Sequence, residues 1–340
     1  MIWLPWTQFT WSTNAVSSSA RPVRALMLVA TVASGPMAGS VTAAFDEGGG
    51  TFAISLGIIL AMGLLVMIVG LPRGSIEQRS IIEYSIPNWI AIAVAVIGAF
   101  LDRDVRIALW MGALAIVVSG TVRAGRSEWL IRPKHFAERH GLILIIALGE
   151  VIVALGIPVV EALADDENGG LPSETIVALV LAGVFACVLW WGYFDRPLPA
   201  LEHRHGQHDD PRDRGRFARD VYTYLHAPIV AGVVMSAAAL EEITLHPHDP
   251  LPAAFRWLLI AGVAMYLLGV AAAVYRAFEK LAIERVIGSA VILAVVTLLA
   301  DADGIVLLIV VDAVLVAMLV IEQVRVEIAH RSVSLRSVAR

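Results

Sequence analysis

The feature that most constrains this chain is a recurring interval. Apolar runs of about 20 residues alternate with short clusters of charge. A helix rises about 1.5 Å per residue, so each run matches about 30 Å of hydrocarbon. Helices also satisfy their own backbone groups, which lipid requires. Runs lie at 24–45, 52–71, 82–101, 105–122, 139–160, 175–194, 220–241, 255–275, 284–300 and 304–324. The expected fold is therefore all-α, a polytopic transmembrane bundle of about ten complete spans plus a partial N-terminal helix. Composition agrees: 58% of the 340 residues are hydrophobic and 16% charged, with a mean hydropathy of +0.77.

The charge clusters alternate in sign. All 25 Lys and Arg except Arg103, Arg106 and Arg256 fall in 15–24, 72–81, 123–139, 195–219, 276–285 and 325–340. The intervening loops are acidic, with Asp46, Glu47, Asp165, Asp166, Glu167, Glu241, Glu242 and Asp249. Basic loops stay in the cytoplasm, so the expectation is a multi-pass cell-membrane protein with a cytoplasmic C-terminus. Residues 1–14 are too short to cross, carry no basic leader or small-residue cleavage site, and read as the end of a helix. Cys187, the lone cysteine, reads as a small packing residue inside an apolar run.

The two halves echo each other. Asp102-Arg103-Asp104 turns one span into the next, as Asp301-Ala302-Asp303 does later. Glu77 to Glu83 enters one span and Glu279 to Glu284 another. Pro36 follows Arg24 at the distance at which Pro228 follows Arg216, and aromatic clusters precede both prolines. These matches predict two parallel repeats of about six helices. The first, 1–122, lacks its first helix and most of its second; the second is 123–340, with a cytoplasmic tail. Residues 24–122 and 216–324 are expected to share one helix arrangement.

Three segments carry a family resemblance: HFAERHGLILIIALGE at 135–150, WWGYFD at 190–195 and RDVYTYLHAP at 219–228. In that order, and with FTWSTN at 9–14, they resemble the bacterial low temperature requirement A family, as an N-terminally truncated member. The resemblance implies a membrane location and, through a growth phenotype, a link to cold adaptation; it implies no known reaction.

Residues that could carry chemistry cluster on these segments. His135, Glu138 and Arg139 stand where a helix enters from the cytoplasm. Glu150 follows on Arg139's face near the midplane, where an acid costs on the order of 2.5–3.5 kcal/mol unless paired or neutral. The pair lines a polar path, with Glu150 facing the bundle interior, or the segment is an interfacial anchor with a packed, neutral acid. Asp220, Tyr222 and His226 lead into Pro228, and histidine can relay protons near neutral pH; Asp312 is another midplane acid. Each reads equally well as a satisfied packing group. Pro36 and Pro228 break helical hydrogen bonds, and matched breaks point to a transporter site, although kinked membrane helices are common. Trp11, Trp190, Trp191 and Tyr193 read as aromatics of the membrane interface. His203, His205, His208, Asp209 and Asp210 are metal-binding types without fixed geometry, so 202–210 reads as a solvated loop.

No nucleophile motif, nucleotide loop or metalloprotease helix is present. The expectation is a non-enzyme with no catalytic residue, metal or cofactor. Its partners would be the bilayer and a small solute or ion, not nucleic acid; the sequence leaves its oligomeric state open. The leading function is movement of that solute or ion, proton-coupled through Glu150, His226 or Asp312. The alternatives are a noncatalytic membrane role in cold or envelope stress, and an intramembrane enzyme.

Overall fold

The structure is a computed structural model that describes residues 2–16, 20–71, 74–124, 131–156, 159–160, 163 and 170–338. The acidic residues expected outside at 165–167 and residues 125–130 of the basic loop 123–139 lie outside the described residues. The described residues are overwhelmingly helical and contain no named strand. They divide into two compact units: Met1–Phe136 with His205–Arg219, and Ala137–Arg204 with Asp220–Arg340.

The first unit is built around α3 (Gly49–Gly70), apolar on every side. Against it pack α1 (Trp3–Ala15), α2 (Arg21–Gly39) and α4 (Ile76–Gly98), and α4 packs on α5 (Arg103–Ala124). Phe52, Ala53 and Leu56 of α3 meet Ala91, Ala95, Trp110 and Ala113. The Trp110 indole donates to the carbonyl of Ala95 over 2.9 Å. Helix α1 buries a polar set, Thr7, Gln8, Thr10, Ser12 and Asn14. It can do so because Thr7, Thr10 and Ser12 return their hydroxyls to carbonyls of their own helix.

In the second unit, α6 (Pro133–Ala154, from Ala137 onward), α7 (Ser173–Phe194), α10 (His226–Leu245), α11 (Ala253–Phe278), α12 (Ile283–Leu298) and α13 (Gly304–Val338) share one core. The short helices α8 (Pro197–Gly206) and α9 (Pro211–Phe217) precede a π-helical segment, Ala218–Tyr224. The closest packing joins α10 to α11. A Cβ on Gly262 would lie 2.7 Å from the carbonyl oxygen of Gly232, so these backbones approach only because both positions are glycine.

Among the described residues seven helices are long and apolar enough to cross a membrane: Gly49–Gly70, Ile81–Gly98, Arg103–Thr121, Ser173–Gly206, Pro211–Leu245, Ala253–Phe278 and Gly304–Ile328. The other three expected spans are helices of weaker character. At 16 residues, α12 rises about 24 Å, short of the hydrocarbon thickness. Glu138, Arg139 and Glu150 dilute α6. Helix α2 ends at Gly39, and turns follow to Gly48, so the run 24–45 is not one continuous helix.

The two prolines interrupt their helices differently: Pro228 falls within the candidate span Pro211–Leu245, just after the π-helical segment, and Pro36 near a helix end. Pro36 lies in the last turn of α2. Pro228 lies in the first turn of α10, where the backbone N–H has no partner inside the helix in any case. Pro87 also lies inside a helix, in the middle of α4. Cys187 is exposed rather than packed. Segment 202–210 is a solvated loop only in its second half: α8 occupies its first half, and His205 is fully buried, edge-on to Phe136 and stacked on Phe217.

Each unit ties one corner with an arginine. Arg106 donates to the carbonyls of Ala44 (3.1 Å) and Asp46 (2.6 Å), after α2, and of Leu101 (3.4 Å), between α4 and α5. Arg256 donates to the carbonyls of Leu251 (3.2 Å), after α10, and Ala300 (2.8 Å), between α12 and α13. The arginines start different helices, yet the joined turns occupy matching places in chain order.

Candidate functional site

The polar centre of the second unit is His226, the first residue of α10 and 1% exposed. The chain reaches it through the π-helical segment, whose last bond runs from the Leu225 N–H to the Asp220 carbonyl over 3.0 Å. Pro228 offers no N–H to the carbonyl of Tyr224, so an ordinary α-helix could not run through this point undisturbed. π-Helical turns of this kind occur frequently at functional sites. Asp220, at the segment's start, pairs with Arg276 in the last turn of α11 at 3.0 Å, which anchors the distortion.

Three side chains close around His226. Its Nε2 lies 3.0 Å from the carbonyl oxygen of His140, and its Nδ1 lies 3.4 Å from the Tyr193 hydroxyl. A carbonyl only accepts, so Nε2 carries the proton. In the neutral ring Nδ1 then accepts, and the Tyr193 hydroxyl donates. The His140 ring stands 5.1 Å from that of His226 and 4.8 Å from that of Tyr222, centroid to centroid. All four residues are buried, His226 and His140 at 1% exposure, Tyr193 and Tyr222 at zero. Protonating His226 would turn Nδ1 into a donor and force the Tyr193 hydroxyl to reverse. The ring therefore couples its charge to the orientation of a neighbour on another helix.

The three segments noted in the sequence meet here: His140 from the first, Tyr193 from the second, Tyr222 and His226 from the third. The sequence singled out three of these residues and missed His140. On α6 the buried stripe runs through Phe136, Ala137, His140, Gly141, Leu144, Ala147, Leu148 and Val151. Its small residues mark the side that neighbours approach. A Cβ on Gly141 would stand 3.2 Å from Phe194 and from Leu198. That run of Ala and Gly was a readable sign.

Arg139 and Glu150 do share a face, as their spacing requires, but it is the opposite one, with Leu142, Ile146 and Val153. Glu150 is exposed, and the expectation that it faces the bundle interior is overturned. Ile and Leu occupy both faces of α6, so the apolar pattern carries no phase to show which side the acid takes. Glu138 is exposed as well, and His135 is half-buried. Trp190 and Trp191 are exposed, as residues at a lipid interface would be, whereas Tyr193 belongs to the buried cluster. Trp11 is half-buried and sits edge-on to Phe136, with ring centroids 5.1 Å apart.

The sequence also missed a charged layer in this unit. Arg285, its side chain 2% exposed, donates to the Gly192 carbonyl at 2.7 Å and pairs with Glu322 at 3.0 Å. Glu284 pairs with Arg325 beside it. The hairpin through Asp301–Gly304 brings the first turn of α12 against the later half of α13, which the basic-loop pattern alone does not reveal. Asp312 stands apart from this layer, 5% exposed. Among the described residues no group of three or more His, Cys, Asp or Glu is arranged to hold a metal ion.

Comparison with known proteins gives this geometry a context. An uncharacterized protein of Rhizobium meliloti (strain 1021) is 25% identical over 279 residues, 79% of this chain and 66% of its own. The chain thus spans slightly under two thirds of that relative's length. No solved structure matches. The family described as bacterial low temperature requirement A protein (LtrA) matches residues 1–320. Together with the apolar helices, that match supports an integral membrane protein. The chain belongs to the bacterial low temperature requirement A family.

Proposed function

We propose that this protein moves a small solute or ion across the membrane in a proton-linked cycle centred on His226, without acting as an enzyme. One observation carries the reading: three separate segments converge on a buried His–Tyr cluster beside a π-helical turn. Ionisable groups inside a membrane bundle are costly, and where they persist they commonly mark ion or substrate paths. The coupling of imidazole charge to the Tyr193 hydroxyl supplies the two-state element that such a cycle needs.

Ten crossings, basic loops in the cytoplasm and a cytoplasmic C-terminus belong to the same proposal, as does descent from a duplicated unit. The paired arginine ties of Arg106 and Arg256 support the duplication. Single cysteines in a Cys187-free background test the orientation. Exposed Asp249 should label from outside intact cells and exposed Asp209 should not; the reverse pattern would invert the orientation.

The transport reading is tested with purified protein in vesicles loaded with a pH-sensitive dye, under a potassium diffusion potential. Proton entry faster than in protein-free vesicles supports it. Entry at the protein-free rate, under either polarity and under an imposed pH gradient, would remove it and leave the noncatalytic role in cold or envelope adaptation.

A further inference from the structure

We infer that Asp312 is a proton-binding site within the membrane, separate from the His226 cluster, and that its carboxyl holds a proton at neutral pH. Asp312 lies in α13, about 12 Å along the helix from Gly304, inside a segment apolar enough to cross a membrane. Its residue is 5% exposed, and neither carboxyl oxygen has a hydrogen-bond partner among the described residues. Leu308, Val311 and Leu315, its neighbours on α13, are buried core residues.

Among the described residues no charged or titratable side chain on the helices packed against α13 partners Asp312. On α7 the titratable groups are Glu174, Cys187 and Tyr193; on α10 they are His226, Glu241 and Glu242; on α12 the charged pair Glu284 and Arg285 sits in the first turn. The next charge along α13, Glu322, is about 15 Å further on. The nearby arginines are already engaged, Arg285 with Glu322 and Arg325 with Glu284. An ionised carboxylate in this place would be a buried charge with neither counter-ion nor donor. The neutral acid leaves only one O–H and its acceptors unmatched, a far smaller penalty. The site is thus built to hold a proton and to release it only when water or a donor reaches it.

This inference rests on α13 spanning the membrane and deepens the transport reading. Dicyclohexylcarbodiimide, a lipophilic reagent that adds to protonated carboxyls, tests it on the whole protein in vesicles, with peptide mapping by mass spectrometry. Asp312 should label at pH 7 at least about tenfold more than exposed Asp301, because an ordinary aspartate is almost wholly ionised there. Labelling should fall at alkaline pH and be indifferent to sodium. Asp312→Asn should abolish the adduct at that peptide. Absent labelling at pH 7 would overturn the inference, and so would protection by sodium at fixed pH, which would make the site one for a metal cation. Mapping the wild-type protein decides the matter even if the variant fails to fold. Labelling without proton flux would remove the transport reading and leave this one standing; flux without labelling would do the opposite.

Discussion

Pro36 and Pro228 occupy matching places in the sequence and opposite situations in the fold. Pro36 closes α2 on an exposed surface; Gly35 and Gly39 beside it have nothing within 4 Å of an added Cβ. The Ser40 hydroxyl donates to the Pro36 carbonyl over 2.7 Å as the chain leaves the helix. Pro228 opens α10 directly after a π-helical segment, between buried His226 and a glycine whose added Cβ would overlap the Gly262 backbone. A proline offers no backbone N–H in either place. What separates the two is what the freed backbone is packed against: open surface in one unit, a buried polar cluster in the other. A sequence match between breaks therefore locates a break and leaves its use undetermined.

The largest difference should appear at the flanking glycines. Gly232→Ala drives a methyl into the Gly262 carbonyl and should cost on the order of 3 kcal/mol, as overpacking does. Gly35→Ala should stay neutral or add up to about 1 kcal/mol, the helix-interior gain of Ala over Gly. Thermal unfolding in detergent compares the two, and equal losses would erase the contrast. Next comes His226→Ala, which leaves a cavity and strands its two hydrogen-bond partners. It should cost about 2–4 kcal/mol in the same assay, and a change below about 0.5 kcal/mol, the surface norm, would mean that the cluster is loosely packed.

Smaller effects sharpen the same contrast. Tyr193→Phe removes only the hydroxyl that donates to His226 and should cost about 1 kcal/mol. The prolines should then differ in sign. Pro36→Ala restores a donor to the Val32 carbonyl and should stabilise α2 by up to about 1 kcal/mol. Pro228→Ala sits where no donor is needed and should lose about 0.4–1 kcal/mol through the freer unfolded chain. Matching signs would show that the two positions are equivalent after all.

How much of this was legible in sequence depended on which physical signal each residue carries. Apolar run length located helices, and among the described residues seven of them are long and apolar enough to cross a membrane, because hydrocarbon thickness sets the length of a spanning run. It could not say that α2 stops at Gly39 or that α12 has only 16 residues, since apolar residues continue through those ends. Helical phase was the weakest signal. In a lipid-facing helix both sides are greasy, so Glu150 was assigned inward while His140, on the stripe of small residues, went unnoticed. Long-range pairs such as Arg285 with Glu322 depend on how one hairpin closes, which spacing alone does not fix. His205 is hidden for a related reason: a histidine-rich, charged segment reads as a solvated loop, and only the fold shows Phe136 and Phe217 against its ring.

The central claim is that proton-linked movement runs through His226 and not through the proline-flanked end of α2. The most direct measurement is proton entry into dye-loaded vesicles carrying wild type, His226→Gln or Pro36→Ala, each verified as helical and monodisperse beforehand. Wild type and Pro36→Ala should conduct alike, while His226→Gln, which keeps a polar side chain and loses titration, should fall to the rate of protein-free vesicles. Undiminished entry through His226→Gln, or loss confined to Pro36→Ala, would contradict the claim.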